Sequence, residues 1–192
     1  YLLQKLYRKS IVLKDYEGIQ NSSYSIAVLY NKETKYDSAY YYFTKSEKVF
    51  LKIKNENLLG YIKIHKANIL SYKYDYLGAE KLAIEALKIG IVKKNNLLIY
   101  NCYLTLGSTL VSLNNNPRAL YYYNKAIDIS ENLKSDPKYL SYKSQPYNLI
   151  ANIYVKSKKY EKAISYVKQG LAIADFKKIE PAIYCYLTNK LA

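Results

Sequence analysis

Three sets of small residues recur in register along this chain, and they restrict its fold more than any other feature. Ala27, Ala67, Gly107 and Ala151 form the first set, Ala39, Ala79, Ala119 and Ala163 the second, and Ser46, Ala86, Ala126 and Gly170 the third. Within each unit the spacing is 12 and then 7 residues, and successive units are offset by 40, 40 and 44. Self-similarity at a fixed period is the mark of a repeat architecture. Residues seven apart share one face of a helix after two turns. A small side chain there lets a neighbouring helix axis come close, and a large one beside it fills the adjoining groove. Apolar residues keep the same register: Tyr30, Leu70, Leu110 and Tyr154 follow the first set, and Phe43, Ala83, Tyr123 and Val167 follow the second, large in all but Ala83.

Each unit therefore reads as a helix A, a tight turn and a helix B. An aromatic precedes the second small residue in Lys35-Tyr36-Asp37, Tyr74-Asp75-Tyr76 and Lys159-Tyr160-Glu161. The third unit has Asn115-Asn116-Pro117 instead, with Asn as helix cap and Pro near the first helical position. The pattern predicts A helices near 21–33, 57–72, 97–113 and 145–156, and B helices near 36–53, 76–92, 117–132 and 160–174. Residues 1–14 read as the B helix of a preceding repeat and 181–192 as the A helix of a following one. The expected organisation is one all-α solenoid over 1–192: a trailing helix in 1–19, repeats at 20–56, 57–96, 97–138 and 139–176, and a first helix in 177–192.

Composition agrees with this. Half of the 192 residues are hydrophobic while Gly (6) and Pro (4) are few, which disfavours disorder, collagen and a loop-rich β-sandwich. No apolar run approaches the length of a membrane span, and no signal-peptide pattern opens the chain. There is no Met, and both termini lie inside amphipathic patterns, so the chain is expected to be a piece of a longer protein. The formal net charge of +15 favours an acidic partner. Yet only Arg8 and Arg118 are arginines, the lysines are dispersed, and bidentate phosphate and base recognition leans on arginine. A solvated lysine surface is the expectation.

Chemistry-bearing residues are sparse. Cys102 and Cys185 each begin a Cys-Tyr-Leu-Thr stretch and sit in no CxxC pattern, so they read as small residues of an apolar face rather than a disulfide or metal pair. His65 is the one histidine, with no second ligand or nucleophile signature around it. Asp37 and Asp75 open B helices, where free N–H groups favour a carboxylate, while Glu80 and Glu161 read as early-helix or surface positions. No phosphate loop, GxSxG, HExxH or EF-hand pattern occurs, and no carboxylates pair for acid–base work. The expectation is a non-enzyme without cofactor or metal.

Tyr103, Leu106, Gly107, Leu110, Ala119, Tyr123 and Ala126, and again Tyr147, Ile150, Ala151, Tyr154, Ala163 and Gly170, resemble the pattern of the tetratricopeptide repeat family. The resemblance covers about residues 20–175 and implies a right-handed superhelix of helix-turn-helix units. Two features depart from it. The family repeats every 34 residues and ends helix B with Pro, whereas Leu51, Ile91, Glu131 and Asp175 stand at that site here. A longer helix B would account for the 40-residue step, as in the long-repeat arrays of signalling scaffolds and bacterial peptide-sensing regulators. The 44-residue step coincides with Ser135-Asp136-Pro137 and Pro146, which places the extra residues in a loop before the fourth A helix.

The resemblance further implies a concave face lined by A helices that binds extended or helical peptides. By register its positions are Asn21, Tyr24, Val28, Asn31 and Lys32; Tyr61, Ile64, Asn68, Ser71 and Tyr72; Asn101, Leu104, Ser108, Val111 and Ser112; and Gln145, Asn148, Asn152, Val155 and Lys156. The candidate contacts are Tyr24, Asn31, Lys32, Asn68, Tyr72, Asn101, Asn148, Asn152 and Lys156. Amide side chains both donate to and accept from a peptide backbone, and Lys32 and Lys156 could meet a carboxylate. The family's full clamp for a C-terminal carboxylate is not complete here. The leading expectation is a protein- or peptide-binding scaffold, the sensory or interaction region of a larger bacterial regulator. Self-association, nucleic acid reached only through a module elsewhere, and no membrane contact by this segment complete the expectation. The alternative is direct binding of nucleic acid or another polyanion by the lysine surface, which salt would weaken steeply. Unpaired cysteines favour the cytoplasm, unless an export signal precedes the segment.

Overall fold

The structure is a computed structural model that describes residues 2–133 and 140–173. Every regular element among them is a helix: α1 (Leu2–Val12), α2 (Tyr16–Lys32), α3 (Tyr36–Lys48), α4 (Phe50–Ile53), α5 (Glu56–Tyr72), α6 (Tyr76–Val92), α7 (Asn96–Ser112), α8 (Asn116–Glu131), α9 (Leu140–Lys156) and α10 (Tyr160–Ala172). The A helices are α2, α5, α7 and α9, and each is followed by its B helix. The chain divides into two compact units, residues 1–98 and 99–192.

The twelve small register residues are all buried. Ala27 and Ala39 meet Phe43, Ile62 and Ile69 in the core of the first unit, and Ala151, Ala163 and Val167 cluster in the second. The large partners expected after the second set are buried as well: Phe43 at 0%, Tyr123 at 2% and Val167 at 1% exposure.

Turns between helices follow one design. Lys14, Thr34, Tyr74, Lys94, Asn114 and Lys158 each adopt a left-handed conformation with φ between 51° and 65°, although none is glycine. Two backbone hydrogen bonds offset that strain at each site. Around Tyr74, for instance, the Tyr74 N–H donates to Ser71 O at 3.1 Å and the Asp75 N–H to Leu70 O at 2.9 Å. This is the paired bonding of a Schellman motif, which satisfies carbonyls the helix end leaves open. At four of these turns the next residue, Asp15, Asp75, Asn95 or Asn115, caps the following helix by accepting from the backbone N–H three residues on, as Asn55 does after Lys54, whereas Lys35 and Lys159 make no such bond. The Asn115 cap with Pro117 in the first turn follows the sequence pattern.

Several boundaries differ from expectation. α2 starts at Tyr16 because the Asp15 carboxylate caps Gly18. α9 starts at Leu140 and runs through Pro146. The first B helix is broken at Val49 and closes with the left-handed Lys54. Helix B is long where the family's Pro is replaced: α6 passes through Ile91 and α8 includes Glu131. Ser135-Asp136-Pro137, Asp175, Cys185 and the helix expected at 181–192 lie outside the described residues.

Candidate functional site

In the second unit, α7 and α9 place four of the expected groove positions around one pocket of about 400 Å³. Ser108 and Val111 come from α7, and Asn152 and Lys156 from α9; Tyr123 of α8 and Leu149 and Ile153 of α9 complete the lining. The side chains supply an apolar wall with polar groups set into it. The Ser108 and Tyr123 hydroxyls share a hydrogen bond of 3.1 Å. Burial raises the Tyr123 titration while the Ser108 hydrogen bond opposes that, so the phenol stays protonated. Lys156 is exposed, and one helical turn before Asn152 the Asn148 Oδ1 is buried with no hydrogen-bond partner. An amide oxygen in that state favours any donor that reaches it. Asn101 is half-buried, and Gln145, which was expected on the open face, accepts from the Tyr100 hydroxyl at 3.2 Å.

The first unit treats its expected contacts differently. The Tyr24 hydroxyl is hydrogen-bonded to His65 Nε2 at 3.1 Å, and the Tyr24 ring packs edge-on against Phe43. Tyr24 therefore belongs to an aromatic cluster, and burial raises its titration. Tyr72 is 61% exposed yet stacks on Tyr36 at 4.9 Å. Asn31 Oδ1 is buried without a partner, Asn68 is half-buried, and Lys32 is exposed. Ile64 and Leu104 were expected on the open face. They are instead core residues at 5% and 9% exposure, because their rows of the helix turn toward the neighbouring helices.

His65 lies flat on Phe43, ring to ring at 4.9 Å and 6°. Burial pushes its pKa down to about 4, so the imidazole is neutral near pH 7 and brings no charge to a ligand. The Cys102 thiol is buried and pushed well up by desolvation, which removes the thiolate a nucleophile needs. Among the described residues no group of three His, Cys, Asp or Glu could hold a metal ion.

A charge cluster in the first unit escaped the sequence reading. Lys66, 7% exposed, meets Glu47 at 2.7 Å, and Lys63 bridges Glu85 at 2.7 Å and Glu47 at 3.5 Å. The Lys66 ammonium also lies 4.7 Å from the Tyr40 ring centre. The signal available in the sequence was a pair of acidic residues on successive B helices facing two lysines of one A helix. It points to structure, since the charges satisfy one another. The pocket residues Tyr123, Leu149 and Ile153 were likewise absent from the expected contacts. Only the burial pattern of the helix pairs reveals which apolar residues line an opening.

The sequence model of the tetratricopeptide repeat matches residues 100–133 and 144–176. Among curated proteins, none matches the chain in sequence. Among solved structures, BtubC from P. vanneervenii superposes with a TM-score of 0.75 at 21% identity, over 88% of this chain and 71% of that one. The apo form of RapI gives 0.71 at 17%, over 83% and 57%. The STAND signal-transduction ATPase with a tetratricopeptide repeat sensor from Pyrococcus horikoshii gives 0.72 at 20%, over 90% of this chain and 26% of that protein. These likenesses establish an α-solenoid fold. No helix among the described residues is long and apolar enough to cross a membrane.

Proposed function

The chain carries tetratricopeptide repeats, and we propose that it works as a non-catalytic scaffold that captures an extended segment of a protein partner. The observation that carries this reading is the pocket of about 400 Å³ between α7, α8 and α9, which gathers Ser108, Val111, Asn152 and Lys156 beside an apolar wall. An extended backbone would find donors and acceptors in the Asn152 and Asn148 amides and an apolar seat at Val111 and Ile153, with Lys156 suited to an acidic side chain. In the first unit, Tyr24, Asn31, Lys32, Asn68 and Tyr72 form the corresponding set by register, and Asn101 belongs with the second unit. We further propose that the segment is the sensory or interaction region of a larger bacterial regulator. Support comes from the likeness to RapI and to a STAND protein with a repeat sensor, of which this chain spans 57% and 26%.

Polyanion capture is the competing reading. Among the described residues Lys35, Lys63, Lys66, Lys73, Lys93 and Lys125 pair with carboxylates, which leaves less of the surface charge uncommitted. The test is selection of binders from a displayed library of random peptides, followed by calorimetry on the best sequence at two salt concentrations. Asn148→Ala and Asn152→Ala should each weaken binding by about 1–3 kcal/mol, with a shallow salt slope. Lys88→Ala should leave it unchanged. No selected peptide, equal binding by the amide variants, or a steep loss with salt would each defeat the scaffold reading.

A further inference from the structure

Three turns of the first unit stand in a row along one edge; each bears exposed lysines, and the first and third also present exposed aliphatic side chains. They follow α1, α4 and α6, and their left-handed residues Lys14, Lys54 and Lys94 are spaced 40 apart. Direct contacts tie the turns together. Lys52 at the second turn lies 5.9 Å from the ring centre of Tyr16 at the first. Lys93 at the third pairs with Glu56 at the second at 2.5 Å, and the Asn95 amide donates to Asn57 Oδ1 at 3.3 Å.

The exposed side chains of this edge have an unusual composition. Val12 is 80% exposed, Leu13 65%, Val92 73% and Ile91 55%. Lys14, Lys52, Lys54 and Lys94 are exposed among them, and Tyr16 is 43% exposed at the first turn. The carboxylates here are few: Asp15 is engaged in capping Gly18, Glu56 is paired with Lys93, and Glu17 stands in the first turn of α2. Exposed aliphatic pairs at the first and third turns, each beside lysines, are more than singly scattered surface residues and mark an interaction site.

We propose that this edge docks on an anionic phospholipid bilayer. The chemistry fits in two layers. Aliphatic tips that gain by leaving water enter the boundary between headgroups and acyl chains, while the lysines meet lipid phosphates and carboxylates. Tyr16, with an apolar ring and a polar hydroxyl, suits that boundary. A nucleic acid would use the lysines and leave Val12, Leu13 and Val92 in water, so the aliphatic tips favour lipid. The attachment is peripheral and needs no spanning helix. It departs from the expectation of no membrane contact, which rested on the lack of a spanning run.

The test is co-sedimentation of the 192-residue chain with phosphatidylcholine vesicles, with and without phosphatidylserine. The chain should pellet with the phosphatidylserine vesicles alone. Val12→Ser/Leu13→Ser/Val92→Ser, all at exposed sites, should weaken that binding at least about tenfold with unchanged circular dichroism. Lys14→Asn/Lys54→Asn/Lys94→Asn, which keeps a residue tolerant of the left-handed conformation, should weaken it about fivefold for each lysine. A chain that stays in the supernatant overturns the proposal. So does serine-variant binding equal to the parent, which would leave charge alone as the cause. A serine-sensitive change in sedimentation mass without lipid would show that the tips meet a second copy, and tighter capture of a single-stranded oligonucleotide, insensitive to the serines, would show a nucleic-acid surface; either result overturns it.

Discussion

Gly107→Ala should destabilise this protein, against the ordinary trend for a glycine inside a helix. Replacing a mid-helix glycine by alanine usually adds about 1 kcal/mol of stability through propensity. At Gly107, however, a Cβ would stand 2.3 Å from Tyr123 Cε1, 2.6 Å from Cδ1 and 2.9 Å from Cζ. Those atoms belong to a ring only 2% exposed, held by its hydroxyl to Ser108 at 3.1 Å. The ring must move by more than an ordinary thermal excursion. Overpacking of this kind costs about 1–3 kcal/mol, and losing the hydroxyl hydrogen bond adds about 0.5–1.5 kcal/mol. The steric cost exceeds the propensity gain, leaving a net loss of about 1–3 kcal/mol. The fourth repeat supplies the internal control, since it carries Ala151 where the third has Gly107 and Val167 where the third has Tyr123. In a Tyr123→Val background, Gly107→Ala should therefore turn stabilising by about 1 kcal/mol. Urea unfolding followed by far-UV circular dichroism measures both arms of the cycle. A stabilising Gly107→Ala in the parent chain would refute the argument, as would the same sign in both backgrounds.

Two further perturbations follow from the first unit. Unfolded His65 titrates near 6.5 and folded His65 at about 4, so between those values the unfolded chain binds the extra proton, and stability falls as pH drops through that window. The total loss is about 3 kcal/mol; His65→Phe should flatten the urea midpoint between pH 7 and 4, and an unchanged slope in that variant would contradict the assignment. Glu47→Ala leaves the nearly buried Lys66 ammonium without its closest counter-charge and should cost about 1–3 kcal/mol. Glu47→Ala/Lys66→Met should recover most of that loss, and thermal melts showing additive penalties would exclude the coupling.

Much of the architecture is written along the chain because it depends on local spacing. The small residues at 12 and then 7 fix which helix face takes a close neighbour, and a turn of two Schellman bonds followed by an Asp or Asn cap needs only adjacent residues. Ala79, Ala119 and Phe43 could therefore be placed in the core from the sequence, and the Asn115 cap could be named outright. Even so, the left-handed residues at Lys14, Thr34, Tyr74, Lys94 and Lys158 carry no glycine to announce them. Their conformation is imposed by the hydrogen bonds that close each helix end.

Tertiary packing decided the rest, because it depends on how far each helix is rotated against neighbours that lie many residues away. Ile64 and Leu104 were expected on the open face by register, yet the packing of their helices carries both into the core. His65, featureless in the sequence, gained its neutral state from burial, in a cluster where Phe43 stacks on its face and Tyr24 bonds its edge. Lys63 and Lys66 look like two more lysines of a basic chain until α3 and α6 bring Glu47 and Glu85 against them. The aliphatic edge has the same origin. Nothing in the spacing singled out Val12, Leu13, Ile91 and Val92. Their exposure is a property of the tertiary arrangement alone.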